Sequence, residues 1–545
     1  MTAHQRKNFW RIGEPGVWLA AAALGLTLAM ILLFAGIISV NAMRHLLAPQ
    51  LALITARDGG TFLGVAQKSE PAAAGGQRTQ YKVANRELNN RADFRWLDDA
   101  AVAAIAYPLA AALVERSGGG DFYGFLTGAE IAGETRNFAE DFAGAVELWQ
   151  TTLARVNPPI DRAQQRIAYL SETLRAGQLR QLRLQYALAH NARGREKAQK
   201  ELDLIDAENA TIKQASAAEL ARLQALQAAA DREIFIFQTA EQQTVRLPIR
   251  AITRLTFPNA LSFGGRQKYM AARAWTILSA MPREANTEGG VLPNILGTVL
   301  LIFLMAVSAF PFGVLAGIYL REYARDRALT RIIRVAVNNL AGIPSIVYGI
   351  FGLSFFIYGI GGALDQVLYP ERVAAGITTF GTGGILWASL TLGLLTLPVV
   401  IVATEEALGA VPTEIRQGSL ALGATRWQTL WRATLPMASP GILTGFILAI
   451  ARAAGEVAPL MLTGVVKSAP ALPLDSIFPF AHLERKFMHL GFHIYDVGFQ
   501  SPNVEAAKPL VYVTALLLLL LVFTLNVVAI KLRNYMRKKY AAHAL

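Results

Sequence analysis

Residues 373–404, VAAGITTFGTGGILWASLTLGLLTLPVVIVAT, contain no Asp, Glu, Lys or Arg, and residues 405–436, EEALGAVPTEIRQGSLALGATRWQTLWRATLP, follow directly with mixed charge. A helix needs about 20 apolar residues to cross a bilayer, so the first stretch reads as a membrane span. The second is amphipathic, interrupted by Gly423 and closed by Pro436, and reads as a segment lying along the membrane face. Working outward, the signature recurs. Between Glu14 and Arg44 lie 29 uncharged residues, and further charge-free intervals run from Glu288 to Arg321, Arg334 to Asp365, and Lys508 to Lys531. One more, from Arg432 to Lys467, is interrupted only by Arg452 and Glu456. Six transmembrane helices are expected, in an all-α polytopic membrane protein. The uncharged segment Ala100–Val114 is shorter and contains Pro108, so it reads as a buried or interfacial helix.

Whole-chain figures agree. Of 545 residues, 53% are hydrophobic and only 17% charged, against roughly 25% charged in soluble domains, which excludes an ordinary soluble enzyme. The absence of cysteine excludes a disulfide framework, a Cys-based metal site and a thiol nucleophile. The net charge of +13 is explained by where Lys and Arg sit. The N-terminus carries Arg6, Lys7 and Arg11, Arg321–Arg334 has five basic residues, Glu405–Arg432 has three, and the tail from Lys531 has five. If six spans alternate, these all fall on one side, while the opposite loop Gly361–Arg372 has a single Arg. The positive-inside rule then places both termini in the cytoplasm and residues 41–290 outside it. That insert holds 30 Lys/Arg against 26 Asp/Glu, so the excess charge reports topology rather than nucleic-acid binding. The first apolar run, Trp18–Val40, exceeds the roughly 7–15 residues of a signal-peptide core and reads as an uncleaved anchor.

The chain divides into a cytoplasmic N-terminus (1–16), a first span (17–40), the insert (41–290), a core of five spans (291–530) and a basic tail (531–545). The insert reads as α-rich with some β. A helical hairpin is expected over about 161–230, with Ile167, Leu170 and Leu174 on one stripe, Ile205 and Ile212 on another, and a break at Asn191–Gly194. Short strands are expected at Ile234–Phe237 and Thr244–Ile249. Nothing in the insert forms a catalytic constellation, and a packing or docking role is expected. Its basic residues Arg175, Arg180, Arg183, Arg193 and Arg195 read as a solvated helical face.

Arg452 and Glu456 are the two ionisable residues inside a span, four apart and so on one helix face. A charge at helix centre costs about 2.5–3.5 kcal/mol on insertion scales, and such residues default to a functional role. Arg donates two parallel hydrogen bonds to an oxyanion, and Glu456 would hold it in place. A structural ion pair is the alternative. Pro344 and Ser345, after Gly342, would break the third span and free backbone N–H groups, with Asn338, Asn339 and Ser345 as neutral donors; a simple packing kink is the competing reading. Pro398 reads as a kink in the fourth span.

Gly423, nine residues, then Ala433-Thr434-Leu435-Pro436 resembles the EAA signature of ABC importer permeases. Gln417-Gly418-Ser419 stands where Glu-Ala-Ala would be, and Ala433 replaces Ile. The segments Gly342–Gly349, Leu397-Pro398, Glu405–Leu408 and Ala451–Leu460 resemble the phosphate permeases of the PstA family. Met488–Ser501 resembles the longer proteobacterial subtype, whose extra domain separates spans 1 and 2. The resemblance implies a type I ABC importer permease fold in the bacterial inner membrane. It implies pairing with a PstC-like permease, a PstB-like ATPase dimer that binds the ATP, and a periplasmic phosphate-binding protein. No cofactor or metal is implied for this chain, and it has no GxxxxGK[ST] phosphate loop of its own. The helix 412–427 would couple to the ATPase, with Arg416, Gln417, Gly423, Arg426, Trp427, Leu435 and Pro436 as the coupling residues. Other expectations stay open: a permease for molybdate or sulfate, or a membrane-anchored scaffold or sensor.

Overall fold

The computed structural model describes residues 14–72, 76–88, 93–138, 141–190, 195–475, 480–501 and 503–541. Arg6, Lys7, Arg11, Arg193 and the Asn191–Gly194 break lie outside them. Six helices among the described residues are long and apolar enough to cross a membrane: Pro15–Leu46, Leu292–Tyr323, Ser345–Leu368, Ile385–Gly409, Arg426–Gly455 and Val504–Lys539. The chain forms two compact units, one of residues 1–47, 291–352 and 384–545, the other of residues 48–290 and 353–383.

In the first unit the elements are α1 (Glu14–Leu46) and, after the second unit's residues, α5 (Leu292–Ile318), α6 (Ala328–Leu340) and α7 (Ser345–Phe351). There follow α10 (Ile385–Gly409), α11 (Thr413–Ala421), α12 (Arg426–Thr429), α13 (Leu435–Gly455), α14 (Ala458–Thr463), α15 (Leu490–Tyr495) and α16 (Val504–Ala541). Helix α10 is the hub, and its buried Ile385, Ala388, Leu392 and Leu395 join Leu301, Met305 and Ile450 in one core. Lipid offers no hydrophobic drive for helices to associate, so close approach through small residues must hold them. A Cβ on Gly445 would lie 2.3 Å from the Ala403 Cβ, and one on Gly317 2.6 Å from the Thr404 Cβ. Glycine there brings α13 and α5 against α10.

One expectation for the third span is corrected. The charge-free interval is not one helix: α6 is a separate amphipathic helix, and Pro344 is the N-cap residue of α7. The Pro344-Ser345 pair therefore starts the span rather than breaking it, because a proline ring fits the first turn of a helix but not its interior. Asn338 and Asn339 fall on α6, exposed and outside the span.

The second unit holds more sheet than expected. Strands β1 (Ala52–Ala56), β2 (Thr61–Pro71), β3 (Gln77–Lys82), β4 (Phe94–Asp98) and β5 (Val102–Ala106) form an antiparallel sheet in the order β4-β3-β2-β1-β5. A second sheet has the order β10-β9-β7-β6-β11, from β6 (Ala111–Arg116), β7 (Phe122–Ile131), β9 (Ile234–Gln238), β10 (Thr244–Pro248) and β11 (Ile252–Thr256), with β8 (Glu134–Asn137) on β7. The expected helix Ala100–Val114 is thus β5 and β6. A short apolar run gives no periodicity to separate a buried strand from a helix, and β6 is buried along nearly its whole length. Helices α2 (Phe142–His190) and α3 (Arg195–Ala230) form the hairpin, with α2 starting well before residue 161. Its first turns are tertiary in origin: Ala145 and Trp149 pack onto Phe235 and Phe237 of the second sheet and onto Phe257 just beyond it. Helix α4 (Phe263–Ser279) and the small hairpin β12 (Pro282–Arg283) and β13 (Glu288–Gly289) follow, then α8 (Gly362–Leu368) and α9 (Pro370–Ala374).

Glu288 on β13 faces Asp121, Lys82, Arg86 and Glu284, and burial followed by the Asp121 charge raises its carboxyl from 4.5 to about 7. The folded state therefore favours neutral Glu288, a contribution complete below about pH 4.5 and lost as pH rises through about 7. Protection of residues 282–289 from hydrogen exchange, corrected for intrinsic rates, is expected to fall between pH 5 and pH 8. Glu288→Gln, neutral throughout, is expected to flatten that fall. An equal pH dependence in both proteins would refute the assignment.

Candidate functional site

Two groups of residues in the first unit carry the chemistry singled out from the sequence. The first is in the fifth span. Helix α13 ends at Gly455, and Glu456 is already extended, with φ −79° and ψ 134°. Arg452 Nε and Glu456 Oε1 stand 3.7 Å apart, with side chains 32% and 21% exposed. That separation is an ion pair but longer than a hydrogen bond, so the guanidinium has N–H groups to offer another oxyanion. The chain then turns directly into α14, which packs on α7: a Cβ on Gly349 would lie 2.8 Å from the Pro459 Cα. Tyr348 of α7 is buried, and its hydroxyl donates to the Leu340 carbonyl at 2.8 Å. Ser345, half-buried, opens that same helix, whereas Gly342 and Pro344 are exposed. The structure therefore packs α14, which follows Arg452 and Glu456 directly, on α7, and leaves Asn338 and Asn339 on α6. The Tyr348 hydroxyl is a site feature that sequence reasoning missed; its place in the Gly342–Gly349 motif was the available signal. Pro398 is buried within α10.

The second group is the connection between the fourth and fifth spans. The helix expected over 412–427 is two helices, α11 and α12, divided at Gly423. Gly423 has φ +85°, a left-handed conformation that favours glycine. Its N–H reaches the Leu420 carbonyl and the Ala424 N–H reaches Ser419, the paired bonds that close a helix C-terminus. Thr425 then starts α12 with a capping box: its side chain accepts from Gln428 N at 3.2 Å, and Gln428 Oε1 accepts from Thr425 N at 2.9 Å. The T-x-x-Q spacing was the available signal, and sequence reasoning missed it. Ser419 and Thr429 hydroxyls, 2.9 Å apart, hold the two helices together.

The ties from this corner to the spans run through ions. Arg416 Nη1 is 2.9 Å from Glu322 Oε1 at the end of the second span, and Arg416 also donates to the Leu408 carbonyl. Arg334 of α6 pairs with Glu405 at 2.7 Å and donates to the Leu320 carbonyl at 2.9 Å. Arg416 is thus engaged within the chain. Gln417, Arg426 and Trp427 are exposed, and Trp427 stacks on Trp431 with ring centroids 5.7 Å apart. Leu422, at the tip between the helices, is 91% exposed. Leu435 and Pro436, half-buried, begin α13. Glu322, Glu405 and Arg334 were not singled out; acidic residues within a basic flank were the sequence signal.

The chain is similar to known proteins over part of its length. A family model described as binding-protein-dependent transport system inner membrane component matches residues 309–539. The phosphate transport system permease protein PstA of Yersinia pestis is 36% identical over 254 residues, 46% of this chain and 76% of that protein. A Mycobacterium tuberculosis PstA is 35% identical over 246 residues, covering 45% and 71%. The probable ABC transporter permease YqgI of Bacillus subtilis is 32% identical over 225 residues, covering 40% and 70%. Among solved structures, the inward-facing MetNI methionine ABC transporter is similar at 20% identity, 49% coverage of this chain, 98% of that chain and a TM-score of 0.33; nothing below rests on that likeness. Six apolar helices, a split helical corner after the fourth and these relatives give one conclusion: the chain belongs to the ABC importer permeases, the multi-pass inner-membrane components of binding-protein-dependent transport systems, and within them is PstA-like.

Proposed function

We propose that the chain is the membrane-spanning permease subunit of an ATP-driven phosphate importer, forming half of the translocation pathway. The observation that carries this reading is the similarity to relatives named as phosphate permeases at 35–36% identity. In this reading a second, PstC-like permease completes the pathway, a PstB-like ATPase dimer binds and hydrolyses ATP, and a periplasmic phosphate-binding protein delivers the anion. Both termini are cytoplasmic and the insert is extracytoplasmic, as the Lys/Arg distribution supports.

Each group then has a task. Arg452 offers its fork of N–H donors to phosphate within the span, and Glu456 keeps the guanidinium oriented and the anion from binding too tightly to leave. The exposed tip of α11 and α12, with Leu422, Arg426 and Trp427, docks the ATPase. Arg416 and Gly423 fix that tip to the second and fourth spans, so that closure of the ATPase dimer shifts the spans. Such coupling requires the partner to bind the two span arrangements with different free energies.

The test is co-purification from membranes followed by ATPase measurement in proteoliposomes. Phosphate-loaded binding protein is expected to stimulate hydrolysis. Stimulation by sulfate or molybdate instead would overturn the substrate, and phosphate uptake that survives deletion of residues 412–436 would overturn the transport reading.

A further inference from the structure

Helix α4 is bonded at both sides to segments that lead in sequence into the first two spans. At its N-terminal side Asn259 ties down the exit of the first span: Leu51 N donates to Asn259 Oδ1 at 3.1 Å, and Asn259 Nδ2 donates to the carbonyls of Leu51 at 2.8 Å and Pro108 at 2.9 Å. Leu51 lies five residues after that span ends at Leu46. At the C-terminal side Gly290 closes onto α4. Its N–H donates to the Met281 carbonyl at 3.2 Å, and a Cβ there would lie 2.4 Å from the Ala280 oxygen. The second span begins two residues later, at Leu292.

This helix of 17 residues, about 25 Å long, is thus linked on its N-terminal side, through Asn259, to a residue five after the first span, and on its C-terminal side to a residue two before the second. Its side chains suit a membrane interface. Phe263 is 81% exposed, Trp275 69% and Met281 54%, and Tyr107 and Leu109, on either side of the Pro108 held by Asn259, are 56% and 60% exposed. Arg266 and Lys268 add exposed cations on the same helix. Aromatic and long apolar side chains beside Lys and Arg are the composition of a membrane-interface helix.

We propose that this face of the insert is a lipid-docking surface, with α4 lying in the interface plane and Phe263 and Trp275 entering the headgroup and upper acyl region. The insert would thereby be held against the bilayer between the first two spans, independently of what the protein transports.

The chain has no cysteine, so Phe263→Cys and Trp275→Cys each give one labelling site. With a nitroxide on the full chain in vesicles of phosphatidylethanolamine and phosphatidylglycerol, collision with oxygen relative to a water-soluble nickel chelate is expected to exceed severalfold that of Lys197→Cys, exposed on α3. Nickel access equal to the Lys197 label would overturn the proposal. So would shielding from both reagents, which would assign the face to a protein partner. The unlabelled protein supplies a second measurement: bromine-bearing lipid chains are expected to quench a fluorescence component that Trp275→Phe removes. Unchanged quenching in that variant would also count against the proposal.

Discussion

Phosphate uptake by Arg452→Gln is expected to fall by roughly 30- to 150-fold at normal expression. The magnitude follows from losing a charge-assisted hydrogen-bonding group, worth about 2–3 kcal/mol. The side chain is one-third exposed, so part of that value is screened, and the lower bound is the firmer expectation. Arg452→Lys keeps the charge without the planar fork and is expected to retain partial uptake. Glu456→Gln removes the restraining carboxylate, and its effect is expected to fall on release rather than capture, lowering maximal rate more than apparent affinity. A purely structural ion pair predicts otherwise: Arg452→Gln and Glu456→Gln would lower the amount of folded protein alike, and each surviving molecule would transport normally. Normal uptake by both Arg452 variants would reject the pathway role.

The second large effect is expected at the corner between the fourth and fifth spans. Removing one partner of a buried ion pair costs about 3–5 kcal/mol, because the other charge stays buried and unpaired. Arg416 and Glu322 side chains are 20% and 19% exposed, so solvent reduces this to roughly 2–3 kcal/mol. In Arg416→Ala the Leu408 carbonyl also loses its donor, and α11 loses its tie to two spans. Substrate-stimulated ATPase activity in proteoliposomes is expected to drop at least tenfold while the basal rate of the bound ATPase persists. The exchanged pair, Arg416→Glu with Glu322→Arg, is expected to recover part of the coupling. Coupling that is normal in Arg416→Ala would show that α11 does not transmit motion through this pair.

Sequence legibility divides along physical lines. Membrane spans are legible because a bilayer demands about 20 uncharged, apolar residues in a row, a condition that residues 385–404 meet with no tertiary help. The Gly423 break was legible for a related reason, since it is a local backbone constraint; Pro436, expected to close the segment, instead lies within the continuous helix Arg426–Gly455. The Thr425–Gln428 capping box was equally local and was overlooked. The β-rich character of the insert was not legible. Strand β6 pairs with β7 and β11, and its buried run AALVER has no alternation to mark it as strand. The same holds at the site. A spacing of four from Arg452 to Glu456 implied a shared helix face, but the helix stops at Gly455, and their 3.7 Å separation is set by an extended residue.

What the sequence by itself determined is therefore the number of spans and the residues whose charge or backbone chemistry is out of place in a membrane. These depend on solvent transfer and local geometry, which each segment carries alone. Only the tertiary structure decided that Arg416 turns onto Glu322, that Asn338 and Asn339 leave the third span for α6, and that Asn259 ties Leu51 to Pro108. Those outcomes depend on which distant segments meet, and no local period or composition records that.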